Sequence, residues 1–355
     1  MRLSKWGQQV LVRAAVAHRS ASPELCRGSR SRRIVFLIFC VSLLTLAMLF
    51  IPPVLYGTGS DYLRVAFINV GQGDSAWLHA SDQTDILIDG GLPGAGPTVV
   101  AYLQNHSIDD IDVLVISHND ADHMGGLIDV LNSPISVAAV IYNGYPVSTT
   151  TYLNLVAAMQ ARGLTPTPAL VGQSYTWGPI SSTVLNPQVA PFGVQNKDAV
   201  VLRLTYGNTH LLFPGDIDST LEQTILSSGT PITADVLKVA HHGSKYSSSA
   251  AFLAAVNPEI AVISVGPNSY GHPAPETLAR LSAAGASTFR TDQWGTVVIT
   301  SDGSILTMNL YRVFLPLVAE QTGAVLNADL HITALSGTTA PEYVTIQNTG
   351  AAART

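Results

Sequence analysis

Four potential metal ligands lie within six residues in the segment His118-Asn119-Asp120-Ala121-Asp122-His123. They follow the apolar run Asp112 to Ile116, which reads as a strand, and they precede a helical stretch. One histidine in a loop is usually solvated or hydrogen-bonded, but two imidazoles and two carboxylates at this spacing are typical of a metal site. Gly125-Gly126 follow and permit close backbone approach. The segment therefore predicts metal ligands at the end of a strand, namely His118, Asp120, Asp122 and His123.

The same segment resembles the metallo-β-lactamase superfamily, whose signature is HxHxDH, with Asp120 in place of the second histidine. Val70-Gly71-Gln72-Gly73-Asp74-Ser75 and Asp89-Gly90-Gly91 precede it, and the set is similar to the hydrolase domain of ComEC competence proteins. The resemblance covers about Leu63 to Leu310 and implies the fold and the metal chemistry of that family.

The resemblance also implies how the ligands are shared between two ions. His118 and Asp120 would bind the first metal, and Asp122 and His123 would bind the second. Asp74 and Asp89 are expected to support the surrounding loops by hydrogen bonding, with turn capping as the alternative role.

Three later segments fit the same template. Pro214-Gly215-Asp216 ends an apolar run, and Asp216 matches the aspartate that bridges both metals, with a helix amino-cap as the alternative. Of His241 and His242, in a segment similar to the AHHGS of ComEC-like domains, one is expected to be a ligand or transition-state partner and the other to support it; we favour His242. His272, in a YGHP loop, would complete the metal site or contact substrate, unless it is an ordinary turn histidine.

Asn196 stands where many relatives have a third histidine at the first metal. Fewer imidazoles and more oxygens make a site harder, so Mn²⁺ becomes credible beside Zn²⁺. We therefore expect two divalent ions, zinc or manganese, to share a bridging hydroxide and to stabilise the charge of the transition state. Asp122, His242 and His272 are the expected catalytic residues, and His242 or His272 would protonate the leaving group.

The resemblance to ComEC implies cleavage of phosphodiester bonds, with DNA outside the membrane as the expected substrate. ComEC proteins also have a polytopic channel, so a separate DNA-uptake channel protein is an expected partner. One alternative is a hydrolase of a small ester, thioester or β-lactam, against which Asp120 and Asn196 argue. Another is an envelope binding module with a structural metal site, because a fold alone does not fix the substrate.

Short β-branched runs and amphipathic stretches predict the elements that position these residues. Strands are predicted at 63–69, 75–80, 85–89, 112–116, 137–142, 199–206, 209–213, 235–240, 260–265, 296–300 and 304–309. Helices are predicted at 97–105, 123–132, 150–162, 217–227, 247–256 and 274–284. Early strands without intervening helices, followed by strands that alternate with helices, favour two sheets with helices outside. With the resemblance, this predicts an α/β fold, the metallo-β-lactamase αββα four-layer sandwich, as a hydrolase domain at 58–318.

The segment Ile34 to Tyr56 contains 23 residues without a charge. At 1.5 Å per residue a helix of this length can cross a hydrocarbon core of about 30 Å, so 34–57 is predicted to be one N-terminal transmembrane anchor. Four arginines precede it, which by the positive-inside rule makes 1–33 a basic cytoplasmic arm and the catalytic domain extracytoplasmic. The rival interpretation is a cleaved signal peptide, although the apolar run is longer than usual for one.

Charge and cysteine content exclude several other functions. From position 58 onward there are 10 basic and 23 acidic residues, a net charge of −13, which argues against a broad nucleic-acid-binding surface. Bound divalent ions would still supply local positive charge. Both cysteines, Cys26 and Cys40, precede this region, which excludes a disulfide framework, a thiolate ligand and a cysteine nucleophile from it.

The carboxyl-terminal segment 319–355 is too short for a domain. Leu330 to Ala334 and Glu342 to Gln347 read as two short strands, and the second resembles the opening of a lamin-tail-like β-sandwich. We therefore expect an incomplete lamin-tail-like β segment there.

Overall fold

A computed structural model of the chain describes residues 61–188 and 196–309. The predicted arm 1–33, the anchor 34–57 and the segment 319–355 lie outside the described residues. Within the described ranges, no helix combines the length and the apolar character needed to cross a membrane.

The described strands form two sheets. Their bounds are β1 Leu63–Phe67, β2 Ala76–Ala80, β3 Asp85–Ile88, β4 Asp110–Ile116, β5 Ser136–Tyr142, β6 Thr167–Pro168, β7 Ser174–Trp177, β8 Ile180–Asn186, β9 Val201–Tyr206, β10 Thr209–Phe213, β11 Val236–Lys238, β12 Ile260–Ile263, β13 Ser287–Arg290, β14 Val297–Ser301 and β15 Leu306–Asn309. The first sheet has the order β15-β14-β1-β2-β3-β4-β5-β6, and the second has the order β13-β12-β11-β10-β9-β8-β7.

The helices follow strands in the sequence, as expected. Their bounds are α1 Gly96–Asn105, α2 Ala121–Met124, α3 Leu127–Asn132, α4 Thr150–Ala161, α5 Ser219–Ser227, α6 Ala250–Val256, α7 Pro275–Ala283 and α8 Thr291–Trp294. Asp218, Thr149 and Ser249 cap α5, α4 and α6 by accepting hydrogen bonds from backbone N–H groups of the first turn. These caps set where the three helices begin.

Three apolar cores hold the layers together. Successive residues of a strand face opposite sides of its sheet, so Val113 and Val115 of β4 enter the core between the sheets while Leu114 packs towards the helices. Between the sheets, the rings of Phe67 and Phe213 stack with centroids 5.8 Å apart. The second core includes residues of α1, α3 and α4, and the third includes residues of α5, α6 and α7. The layers are therefore helices, sheet, sheet and helices, as predicted.

The structure corrects the predicted helix 123–132, which is two helices, α2 and α3, separated by Gly125 and Gly126. The main chain at Gly90 and Gly91 packs against this break, and Gly126 N donates a hydrogen bond to Gly91 O over 2.9 Å. A Cβ atom at Gly126 would lie 2.0 Å from Gly90 O, so only glycine fits there. The close approach brings the end of β3 beside the segment that carries the predicted ligands.

Candidate metal centre

Parallel strands deliver most of the predicted ligands to one place. Strands β3 and β4 are parallel neighbours in the first sheet, and β10 and β11 are parallel neighbours in the second. Asp89 and His118 follow the first pair, and Asp216 and His242 follow the second. The carboxyl ends of parallel strands meet at the same edge of a sheet, which is where α/β proteins place their sites.

The side chains converge into overlapping groups with the spacing of metal ligands. In each group, three residues offer ligand atoms that all lie within 4.8 Å of one another. The four groups are His118, His123 and Asp216; Asp122, His123 and His242; Asp74, Asp216 and His242; and Asp74, Asp89 and His123. The four residues that belong to more than one group are each at most 6% exposed, namely Asp74, His123, Asp216 and His242.

Asp216 lies between two halves of the cluster, one containing His123 and the other containing His242. Its Oδ1 is 3.3 Å from His123 Nε2, and its Oδ2 is 3.4 Å from His242 Nε2. His242 Nε2 is also 3.3 Å from Asp122 Oδ2. The carboxylate therefore presents one oxygen to each half, which is the arrangement a bridging ligand needs.

Hydrogen bonds on the outer side of the imidazoles fix their orientation. His123 Nδ1 donates to Asp89 Oδ2 over 2.9 Å, and His242 Nδ1 donates to the carbonyl of Ser264 over 2.9 Å. Asp89 in turn accepts hydrogen bonds from Ser117 N at 2.8 Å and Ser117 Oγ at 2.6 Å. A ring whose Nδ1 carries the proton leaves Nε2 free as a ligand, as in many metal sites.

Asp74 lies beneath the cluster, where the buried ammonium group of Lys238 forms an ion pair with it. Asp74 Oδ1 is also 3.3 Å from His242 Nδ1. The main chain is held closely here, because Asp74 N donates to Asp122 O over 3.0 Å. Gly73 has a φ of 130°, and a Cβ atom there would lie 2.3 Å from the same carbonyl oxygen. The Gly73-Asp74 turn is therefore held closely against α2, the short helix that carries Asp122.

The pKa values divide the site into an inner and an outer part. Burial would raise the pKa of Asp216, but the charges of His242 and His123 outweigh it and hold that pKa well below its usual range. Burial would lower the pKa of His242, but Asp216 and Asp74 raise it well above its usual value. At the rim, burial lowers the pKa of His241 and of His272. The opposite charges of the inner residues thus favour the charged forms of Asp216 and His242, while burial disfavours the charged forms of the two rim histidines.

The remaining predicted residues occupy different depths. Asp120 has a side chain 36% exposed, with Oδ2 3.4 Å from the buried His118 Nε2. His241 is 30% exposed, with Nε2 3.8 Å from Asp216 Oδ2. The ring of His272 lies 5.4 Å from that of His241. The main-chain carbonyl of Asn196 accepts a hydrogen bond from Ala199 N at 3.4 Å.

Two residues at the site were not predicted from the sequence. Ser117 contacts both Asp89 and His118 Nδ1, the latter at 3.0 Å, and Lys238 neutralises Asp74. Lys238 could have been recognised from the sequence, because it ends the otherwise apolar strand Val236–Lys238, whose three residues are all buried. A buried lysine needs a buried carboxylate as its partner.

The donor set fits divalent metal ions. His118 Nε2, His123 Nε2, His242 Nε2 and Asp216 Oδ1 are all buried and lack a hydrogen-bond partner within the protein. Buried polar atoms without partners are costly, and four of them that converge imply that something else satisfies them. Imidazole nitrogen and carboxylate oxygen atoms suit zinc and manganese. These residues, with Asp120 and Asp122, would hold the metal.

Comparisons with known proteins identify the family of the chain. The family model of the metallo-beta-lactamase superfamily matches residues 68–266. ComE operon protein 3 of Bacillus subtilis is 28% identical over 320 residues, which cover 85% of this chain and 39% of that protein. Competence protein ComA of Neisseria gonorrhoeae is 32% identical over 230 residues, which cover 64% of this chain and 30% of that protein. The chain thus spans less than two fifths of the length of either relative.

Among solved structures, the metallo-beta-lactamase fold protein YhfI from Bacillus subtilis is similar, with a TM-score of 0.46 and 12% identity over 68% of this chain and 100% of that one. The family match includes the segment 118–123, Asp216 and the two histidines after β11. The relatives are ComEC-like competence proteins, which confirms the resemblance seen in the sequence. The chain therefore belongs to the metallo-beta-lactamase superfamily.

Proposed function

We propose that the chain is a dinuclear metal-dependent phosphodiesterase that cleaves DNA outside the cytoplasmic membrane. The observation that carries this proposal is the convergence of four buried, unpartnered donor atoms at one edge of the two sheets. The similarity of the chain to competence proteins favours DNA over a small molecule as the substrate. When bound, a pair of divalent ions supplies Lewis acidity and an activated water for attack on phosphorus.

The residues of the chain hold and shape this site. Asp216 would bind both ions, since its two oxygens face opposite halves of the cluster. Asp89 and the Ser264 carbonyl keep the protons of His123 and His242 on Nδ1. A group at the mouth of the site would contact the leaving oxygen of the substrate. His272 and the partly exposed His241 are there, whereas His242 is only 1% exposed and is better suited to metal binding.

The proposal also includes the location of the chain in the membrane and its partner protein. We infer that segment 34–57 anchors the chain in the membrane with its amino terminus in the cytoplasm, because 23 uncharged residues follow a cluster of arginines there. A separate DNA-uptake channel protein would be its partner. Such an arrangement would present the metal centre to DNA outside the cell membrane.

The test is cleavage by the purified full chain of single- and double-stranded DNA with Mn²⁺ or Zn²⁺. Asp122→Asn should abolish metal-dependent cleavage, since it removes a charged ligand 3.3 Å from His242 Nε2. Glu259→Gln is the matched control, because this exposed acid precedes β12 at the opposite edge of its sheet. Hydrolysis of a chromogenic cephalosporin without any cleavage of DNA would contradict the proposal and favour a small-substrate hydrolase.

A further inference from the structure

An open groove on the surface reaches His272 at the rim of the candidate metal centre. Its volume is about 920 Å³. It lies between the loop that follows β1, the residues at and just before the start of α1, and the loop that follows β12. His272 lines it, and the ring of His272 is 5.4 Å from that of His241. Pockets for small ligands occupy roughly 300–1,000 Å³, so the volume of this groove lies in the upper part of that range.

The described lining of the groove contains no lysine and no arginine. Its one acidic residue, Asp292, is paired with Arg290, whose Nη2 and Nε lie 2.6 and 3.0 Å from the two carboxylate oxygens. A DNA duplex carries one negative charge for about every 1.7 Å of its axis and is bound mainly through cations. A groove without free cations would hold neither a duplex nor a single strand by its phosphates, so binding here depends on contacts to the bases. A single strand exposes its bases, whereas a duplex keeps them stacked inside.

An apolar side chain is exposed within this groove, and an aromatic one is exposed next to it, beside His272. Tyr270 is 73% exposed, and its ring centroid lies 5.8 Å from that of His272. Leu92, which is 40% exposed, lines the groove from a different loop. A tyrosine ring this exposed contributes little to the stability of the fold. Aromatic rings beside a phosphodiester-cleaving centre are suited to stack on the bases of a single strand.

The loop that carries Tyr270 is held rigidly by one side chain. Asn268 Oδ1 accepts hydrogen bonds from Tyr270 N at 3.0 Å and from His272 N at 3.1 Å. Asn268 Nδ2 donates to Gly266 O at 2.9 Å and to His272 O at 2.8 Å. All four hydrogen-bonding positions of the amide are thus used within the loop. A ring on a fixed loop loses little entropy on binding, which favours a role in recognition.

We propose that this groove binds single-stranded DNA, with the ring of Tyr270 stacked on the base next to the phosphodiester that is cleaved. The inference rests on the proposed phosphodiesterase function and adds to it a residue that determines specificity. Tyr270 recognises a base and takes no part in the chemistry. Its loss should therefore raise KM for single strands and leave kcat unchanged.

The test compares the full chain with Tyr270→Ala, Tyr270→Trp and Ile305→Ala. Ile305 is a matched control, since it is 64% exposed in the turn before β15, beside the turn between β9 and β10 at the edge away from the metal centre. Tyr270→Ala should raise KM for a single-stranded oligonucleotide about 5- to 150-fold, equivalent to ~1–3 kcal/mol of stacking. Tyr270→Trp should restore it, and cleavage of a strand of abasic nucleotides should be the same in all variants.

Binding provides a readout that does not depend on catalysis. A fluorescent single strand with methylphosphonate linkages retains its bases and resists hydrolysis, and its anisotropy should report binding weakened by Tyr270→Ala alone. DNA cleavage with equal KM and equal binding in all variants would overturn the stacking role while the proposed function stands. Tyrosine-dependent binding without cleavage of any DNA would support the groove and overturn the phosphodiesterase. Cleavage of duplex in preference to single strands would also overturn the inference.

Discussion

Replacing Asp89 by asparagine should weaken metal binding without removing a ligand. Asp89 Oδ1 accepts from Ser117 N, and Oδ2 accepts from both Ser117 Oγ at 2.6 Å and His123 Nδ1 at 2.9 Å. An amide keeps the first contact but turns a donor towards the other two groups. The serine hydroxyl can rotate to accept, whereas the imidazole can accept at Nδ1 only by moving its proton to Nε2. That nitrogen is the one that faces Asp216 Oδ1, so the proton would oppose metal binding.

The expected loss of metal affinity is about 10- to 100-fold, or ~1.4–2.7 kcal/mol, the range seen when outer partners of metal-binding histidines are changed. Competition with a metal chelator would measure it. Asp85→Asn is a matched control, because Asp85 is also buried and accepts from His79 Nδ1, at 3.0 Å, and from Trp77 Nε1. The reasoning is refuted if Asp89→Asn binds metal as tightly as Asp85→Asn and the unchanged chain.

Two further predictions concern stability in the absence of metal. Lys238→Met leaves the Asp74 carboxylate buried without its cation and should lower the free energy of unfolding in urea by about 3–5 kcal/mol. Adding Asp74→Asn should recover part of this loss, and a double variant no more stable than Lys238→Met would contradict the pairing. Burial raises the pKa of Glu222, so its ionisation costs stability as pH rises above the unfolded-state pKa of about 4.3. The stability of the unchanged chain relative to Glu222→Gln, from urea titrations at several pH values, should therefore fall as the pH rises above about 4.3, and a difference independent of pH would refute this.

The sequence predicted the strands and helices in which apolar residues alternate regularly or form a continuous run. Strand β10 was predicted with the bounds that the structure shows, and β4 was predicted within two residues of its start. Both strands are apolar over most of their length and end directly before a candidate ligand segment. The four candidate ligands of the segment 118–123 could be proposed from the sequence because they lie within six residues of one another.

Elements with polar faces were missed. Strands β7 and β8 read as Ser-Tyr-Thr-Trp and Ile-Ser-Ser-Thr-Val-Leu-Asn, and their serines and threonines, of which Ser182 is buried, conceal the apolar alternation. Strands β6 and β13 are short and contain no residue that is fully buried. Their pairing within the sheets supplies the stability that their own sequence does not indicate.

The orientation of side chains at the site also depends on contacts distant in sequence. His241 and His242 are adjacent, yet one is partly exposed at the rim and the other is buried in the cluster. Both have left-handed backbone conformations, with φ of 51° and 53°, and His241 N donates to Gly215 O over 3.1 Å. A turn of this kind is rare for residues other than glycine. It is held here by the hydrogen bond to Gly215, in the loop that follows β10. No local pattern distinguishes the two histidines.

The central claim is that the converging atoms hold a pair of divalent ions. The most direct measurement is the metal content of the purified full chain, determined by mass spectrometry of the elements after loading with Mn²⁺ or Zn²⁺ and desalting. We expect two ions per chain for the unchanged protein and for Glu259→Gln, and at most one for Asp216→Asn, since Asp216 faces both halves of the cluster. A chain that retains no ion, or an Asp216→Asn variant that retains two, would contradict the account.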